Sequence, residues 1–155
     1  MLSQHRPIKL INQSLSHFLQ WKKYFFSMCY LLCTIKTRIG MENPEEFVRL
    51  MEIYNKYPLK ELIVHPRLQI DYYNNHPNME AFTYAVEKSK APLCYNGDLF
   101  SVEDIRNFQE KYPTIENIML GRGPLKVPTL MKELAGDKRD LTLWYNFHME
   151  LCDEY

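Results

Sequence analysis

The chain has 155 residues, 46% of them apolar and 25% charged, with 19 basic residues against 19 acidic ones. That is room for one domain of ordinary globular make-up and excludes disordered, collagen-like and disulfide-scaffold classes, while the balanced charge gives bulk electrostatics no hold on nucleic acid or an anionic membrane. The balance is uneven along the chain: residues 1–40 carry six basic residues (Arg6, Lys9, Lys22, Lys23, Lys36, Arg38) and no acidic one, which leaves 13 basic and 19 acidic residues for 41–155.

The basic start leads into the apolar run Tyr24–Cys33. Ten residues cannot cross a bilayer, which takes about 20, and Thr34-Ile35-Lys36-Thr37-Arg38 follows where a signal peptide would place a small-residue cleavage site. The run reads as an amphipathic helix entering a buried strand, with no membrane role, and residues 1–30 stand apart as an atypical basic and apolar segment. Cys29, Cys33, Cys94 and Cys152 lack CxxC or His-rich context, which supports neither a zinc site nor a disulfide framework and makes a reducing cytoplasm the default.

From there short apolar runs alternate with amphipathic segments, the pattern of a parallel sheet with crossover helices. The first strand is expected at Leu31–Lys36, followed by a helix with Asn43 as N-cap and Pro44 at its first position, apolar at Phe47, Leu50, Met51 and Tyr54 and stopped by Pro58. The second strand is expected at Glu61–His65, where Leu62-Ile63-Val64 suits burial on both faces. A polar loop, Pro66–Pro77, leads to a helix over Asn78–Lys88. The third strand is Pro92–Asn96, and Ser101 with Asp104 three residues on opens a helix to Lys111 as a near capping box, broken by Pro113. The fourth strand, Asn117–Leu120, ends at Gly121-Arg122-Gly123, and a helix follows at Val127–Leu134. Lys138–Tyr155 is helical in pattern, with Leu141, Trp144, Tyr145, His148, Leu151 and Cys152 on one face.

Polar residues close each strand. Lys36, His65, Asn96 and Arg122 lie 29, 31 and 26 positions apart, one βα unit each. In a (β/α)8 barrel such residues converge on one mouth at the C-terminal ends of the strands. Lys36 and Arg38 supply cations, His65 and Arg67 a titratable group and another cation, and Asn96 with Asp98 an amide and a carboxylate. Gly121-Arg122-Gly123 adds a small-residue turn ahead of a helix, so the last two strand ends read as a phosphate cradle. A lone strand-end Lys or His is more often solvated or salt-bridged; four in phase point to a site.

Thr34-Ile35-Lys36-Thr37-Arg38-Ile39-Gly40, Ile63-Val64-His65-Pro66-Arg67, Asn96-Gly97-Asp98 and Ile118-Met119-Leu120-Gly121-Arg122-Gly123 together resemble, in order and spacing, the successive strand-end motifs of the tRNA-dihydrouridine synthases. The resemblance covers roughly Thr34–Leu134. It implies an α/β fold, a TIM (β/α)8 barrel of which this chain holds the last four βα units at 31–137, with the start of a helical tRNA-binding domain at 138–155. It implies an oxidoreductase that uses FMN, with NADPH as reductant, to convert uridine to dihydrouridine in tRNA. Lys36 would contact the flavin ring, with His65 and Arg67 beside the ring and substrate pocket. Asn96, Gly97 and Asp98 would line the ribityl and phosphate side, and Gly121, Arg122 and Gly123 would hold the phosphate.

The family's catalytic cysteine belongs to the other half of the barrel and has no counterpart here, which leaves the catalytic acid unassigned and the activity of the isolated chain in question. Cys94 and Cys33 read as core residues. Tyr72, Tyr73 and His76, in the loop after His65, read as packing rather than RNA-stacking groups, His148 as structural, and Trp144 and Tyr145 as core of the helical domain. Pro124 stands where the family usually has a small residue. Four units cannot close a barrel, and the two open edges offer a route to self-association. The alternative readings are a non-flavin phosphate-binding barrel half and a non-catalytic RNA-binding remnant.

Overall fold

The computed structural model describes residues 33–154 apart from Tyr73. The helix expected before Cys33, the start of the first strand at Leu31, and Cys29 lie outside the described residues. Four strands form one sheet in sequence order: β1 (Cys33–Gly40), β2 (Leu59–Leu68), β3 (Leu93–Tyr95) and β4 (Asn117–Ile118). β2 and β3 run parallel with Leu62, Ile63 and Val64 opposite Leu93, Cys94 and Tyr95, and β3 and β4 run parallel with Cys94 and Tyr95 opposite Asn117 and Ile118. The helices α1 (Glu46–Tyr54), α2 (Met79–Lys88) and α3 (Val102–Lys111) link successive strands; α4 (Arg122–Lys126), α5 (Leu130–Leu134) and α6 (Leu141–Glu154) follow β4.

Local chemistry sets these boundaries. α-Type bonding starts at Glu46 rather than Pro44, because the amides of Phe47 and Val48 donate to Pro44 and Glu45, three residues back, and tighten the first turn. Asn43 still caps the segment: its Oδ1 accepts from the Glu45 amide at 2.9 Å, and the Glu46 carboxylate reaches back to the amides of Met41, Glu42 and Asn43. Asn78 caps α2 through the Ala81 amide, and Ser101 with Asp104 forms a full capping box on α3.

β2 is longer than expected. It continues through Pro66, Arg67 and Leu68, so the polar loop begins three residues later, and residues 62–67 are all buried. β3 and β4 are shorter than expected. The Gly121-Arg122-Gly123 segment is not an open turn: Arg122 and Gly123 are the first residues of α4, with Pro124 in its first turn, where a missing N–H costs no intrahelical bond. The helix expected at Val127–Leu134 is confined to α5.

Side chains on a strand alternate between faces, and here the alternation separates two kinds of chemistry. Ile39, Leu62, Val64, Leu93 and Tyr95 point into the core, with Ile35 packed against it; there they meet Phe47, Met51, Phe82, Ala85, Ile105 and Phe108 from the helices. The centre is aromatic. Phe82 meets Tyr95 edge-on at 4.8 Å between ring centroids and Tyr112 at 5.3 Å, and Tyr95 stacks on Phe108 at 4.2 Å. Thr83 Oγ1 and the Tyr112 hydroxyl lie 2.8 Å apart, which satisfies both polar tips.

α6 is different. Asp140 Oδ1 accepts from the Thr142 and Leu143 amides and caps it, but it buries no residue, and Leu141, Trp144, Tyr145 and Leu151 are all exposed. Trp144 and Tyr145 are therefore not core within the described residues. No described helix is long and apolar enough to cross a membrane.

Phe82→Ala should cost about 3–5 kcal/mol, because it empties the centre of the aromatic cluster. Urea unfolding would show the midpoint falling with the slope unchanged.

Candidate functional site

The other row of each strand carries polar groups. On β2 it is Glu61, Ile63, His65 and Arg67, and on β1 Lys36 and Arg38; Cys94 and Asn96 continue it at β3, with Asn117 and Met119 at β4. At the C-terminal ends of the strands these rows converge on a cavity of about 380 Å³, within the range of small-ligand sites. Its lining includes Lys36, His65, Arg67, Asn96, Gly97, Asp98, Gly121 and Arg122, all but one of the residues singled out from sequence.

The exception is Gly123. A Cβ there would stand 2.5 Å from the Leu99 carbonyl oxygen and 3.2 Å from Leu130 Cδ2. This glycine lets α4 pack closely on the loop after β3, a packing role under the site rather than a place in its wall. Gly97 is constrained in the same way, since a Cβ would fall 2.0 Å from the Tyr95 hydroxyl.

Asp98 organises the charges. Arg67 grips it with both terminal nitrogens, Nη1 to Oδ1 at 3.0 Å and Nη2 to Oδ2, while Arg122 Nη2 donates to the same Oδ1. Two-pronged guanidinium–carboxylate pairing is strong and directional, and the Arg67 hydrogen bonds hold the Asp98 carboxyl below its ordinary pKa. Arg67 is 2% exposed; its Nε donates to the Asn75 carbonyl at 2.6 Å, and Nη1 lies 3.5 Å from His65 Nε2.

His65 is buried, and burial is the largest cause that pushes its pKa down, to about 4; the nearby charges of Arg38, Arg67 and Lys36 add to the effect against an opposing pull from Asp98. The imidazole is neutral at pH 7 and presents one donor and one acceptor. Asn96 is oriented by donating Nδ2 to the Met119 carbonyl at 2.8 Å. Cys94 is buried on the same face below the cavity, its thiol pushed up to about 11 chiefly by burial, as suits a core residue.

Arg38, read from sequence as a second cation beside Lys36 but given no cofactor role, also lines the cavity. The period of two from Lys36 is the signal for it. Its Nη1 donates to the Leu68 carbonyl at 2.6 Å, which ties the end of β1 to the end of β2. Phe100, also in the lining, lies under Arg122 at 5.6 Å and Lys126 at 5.0 Å, cation–π contacts with no sequence signature. In the loop after β2, Tyr72 is 69% exposed and held at φ +48°, and His76 is exposed, so neither packs as expected; Tyr73 lies outside the described residues. Among the described residues no group of His, Cys, Asp and Glu side chains could hold a metal ion.

The lining thus sets four cations (Lys36, Arg38, Arg67, Arg122) against one carboxylate, an excess of three positive charges around a neutral imidazole and a fixed amide. Such a site is suited to an anion that also carries hydrogen-bonding groups.

Residues 30–150 match the family model for dihydrouridine synthase (Dus). The chain belongs to the dihydrouridine synthase family. It is similar to the tRNA-dihydrouridine(16) synthase of Pseudomonas syringae pv. tomato, 28% identical over 106 residues that make up 68% of this chain and 33% of the relative. The enzyme of the same name from Aquipseudomonas alcaligenes is 26% identical over 124 residues, 77% of this chain and 39% of that one, and that from Vibrio vulnificus 26% over 136 residues, 80% and 42%. The chain spans about a third of the length of the curated relatives it matches. Every strand-end residue of the cavity falls inside the matched region.

The neutral state of His65 has a measurable consequence. Its folded pKa lies below the ordinary 6.5, so its contribution to stability is present above pH 6.5 and is lost as pH falls toward about 4. Following the imidazole by NMR should show no protonation between pH 8 and 5.5, and a His65→Gln variant should lose less stability than the native chain across the acid limb. A midpoint near 6.5 would contradict the burial and charge assigned to this residue.

Proposed function

We propose that this chain forms the C-terminal four βα units of a (β/α)8 barrel that binds FMN and takes part in reducing uridine to dihydrouridine in tRNA, in the cytoplasm, with NADPH as the source of electrons. The observation that carries the reading is the strand-end cavity: four cations, a neutral His65 and an oriented Asn96 meet at the C-terminal ends of successive parallel strands, where barrel enzymes place their chemistry. Family membership supports it, as do the names of the relatives.

The residues present fit the cofactor. Its phosphate needs exposed positive charge, and Arg122, 42% exposed at the lip, is suited to supply a guanidinium. Its ring system gains negative charge on reduction, and Lys36 is the cation suited to that edge. FMN, when bound, would supply hydride to the pyrimidine ring. The chain's own groups have narrower tasks. Lys36 and Arg122 bind, Asn96 and the neutral His65 orient by hydrogen bonds, and the pairing of buried Arg67 with Asp98 holds the strand ends together. With its pKa held down to about 4, His65 is a neutral imidazole at pH 7 and offers one N–H donor and one acceptor nitrogen.

In the same reading α6, which exposes Trp144, Tyr145 and neighbouring apolar residues, begins the helical domain that engages tRNA. The open edges of the sheet offer a route to self-association.

Purified chain mixed with FMN and passed through gel filtration should retain the visible flavin band. Arg122→Ala should weaken FMN about 10- to 100-fold, the loss expected when charge-assisted bonds of about 1.5–3 kcal/mol are removed. A chain that retains no flavin would favour a phosphate site of another kind.

A further inference from the structure

The geometry points to Arg67 as a positioning residue that never touches the bound anion: through Asp98 it fixes the guanidinium of Arg122, and so sets how tightly a phosphate monoester is held at the strand-end cavity. This rests on the flavin reading above and deepens it.

The inference follows from what each nitrogen of Arg67 already does. Nε donates to the Asn75 carbonyl, Nη1 and Nη2 both donate to Asp98, and Nη1 also faces His65 Nε2. Though it lines the cavity, the side chain is only 2% exposed, and each of its three nitrogens is engaged by protein atoms. Such a cation gains little by turning toward an incoming phosphate, because doing so would strand a half-buried carboxylate and a backbone carbonyl. In this proposal Arg67 serves the cofactor from one step away, through Asp98, instead of by direct contact.

Its second partner passes the constraint outward. Asp98 is 24% exposed and Arg122 42%, so exposure rises along the chain Arg67, Asp98, Arg122 from the interior to the lip. Both Asp98 oxygens are fixed by the Arg67 fork, and Oδ1 then accepts from Arg122 Nη2. Phe100 lies against the same guanidinium, its ring centroid 5.6 Å away. Arg122 sits on a helix of only five residues with no side-chain cap, and a long side chain on such an element loses rotamer entropy on binding unless it is held beforehand. Asp98 holds it beforehand, and Arg67 holds Asp98. Asp98 thus acts on the phosphate through Arg122 rather than as a direct ligand, a role a carboxylate is unsuited to beside an anion.

FMN and riboflavin differ only by the phosphate, so their relative affinity isolates this effect from general damage to the site. Affinities would be measured by quenching of flavin fluorescence on the native chain, Arg67→Lys, Arg122→Ala and the double variant. Arg67→Lys keeps the buried positive charge that Asp98 needs but removes the fork; replacing Asp98 would leave Arg67 unpaired and risk the fold. The expected result is that Arg67→Lys weakens FMN about fivefold or more and riboflavin less than about twofold, as for loss of one oriented charge-assisted contact. The double variant should bind FMN no more weakly than Arg122→Ala alone, since both changes break one chain of contacts.

Equal weakening of both flavins, no effect of Arg67→Lys, or effects that multiply in the double variant would each overturn the positioning role while leaving the flavin reading intact. If the native chain binds neither flavin, the flavin reading falls by itself. The positioning role is then decided by thermal shift with inorganic phosphate: it stands if Arg67→Lys reduces the shift as Arg122→Ala does, and falls if Arg67→Lys leaves it unchanged.

Discussion

Each strand of this sheet has two rows of side chains, and only one of them can be spent on the core under α1, α2 and α3. Ile39, Leu62, Val64, Leu93 and Tyr95 take that row, so the opposite row is released from the need to be apolar. The chain uses it for Lys36, Arg38, His65, Arg67 and Asn96, and a parallel sheet in sequence order brings the ends of those rows to one place. Fold and site are thus two consequences of one alternation. A one-residue slip of β2 would turn His65 and Arg67 into the aromatic core and Val64 toward the cavity.

The charges gathered there have to be managed, and Asp98 does much of this. One carboxylate shared between Arg67 and Arg122 neutralises the buried cation and ties β2, the end of β3 and α4 to each other. Burial, helped by the remaining positive charge, keeps His65 neutral, and that charge leaves the cavity attractive to an anion. The packing glycines serve the same end: Gly97 leaves space for the Tyr95 side chain, and Gly123 lets α4 settle on Leu99 so that Arg122 reaches the lip.

Much of this was legible in the sequence. The βα spacing of Lys36, His65, Asn96 and Arg122 identifies the strand ends, and the four motifs identify the family before any coordinate is considered. What escaped has physical causes. β2 runs on through Pro66 and Arg67 because Arg67 is satisfied by Asp98 and Asn75, long-range partners that no local pattern reveals. Gly121-Arg122-Gly123 looks like an open turn because glycine and Pro124 are turn residues, yet α4 forms there on tertiary packing that Gly123 permits. The position of Arg67 in a motif marks it as a site residue, but its burial and its pairing with Asp98 and Asn75 show only in the fold. Tyr72 lies in a loop held by Arg38 from β1 and by Asp71 from within, contacts that composition does not encode.

The central claim is that the polar strand ends form one site that holds an anionic flavin. A crystal structure of the chain grown with FMN tests it most directly. The account predicts phosphate oxygens within hydrogen-bond distance of Arg122, the ring system beside Lys36 and His65, and Arg67 still paired with Asp98. Flavin density away from the strand ends, or a phosphate bonded to Arg67 in place of Asp98, would contradict it.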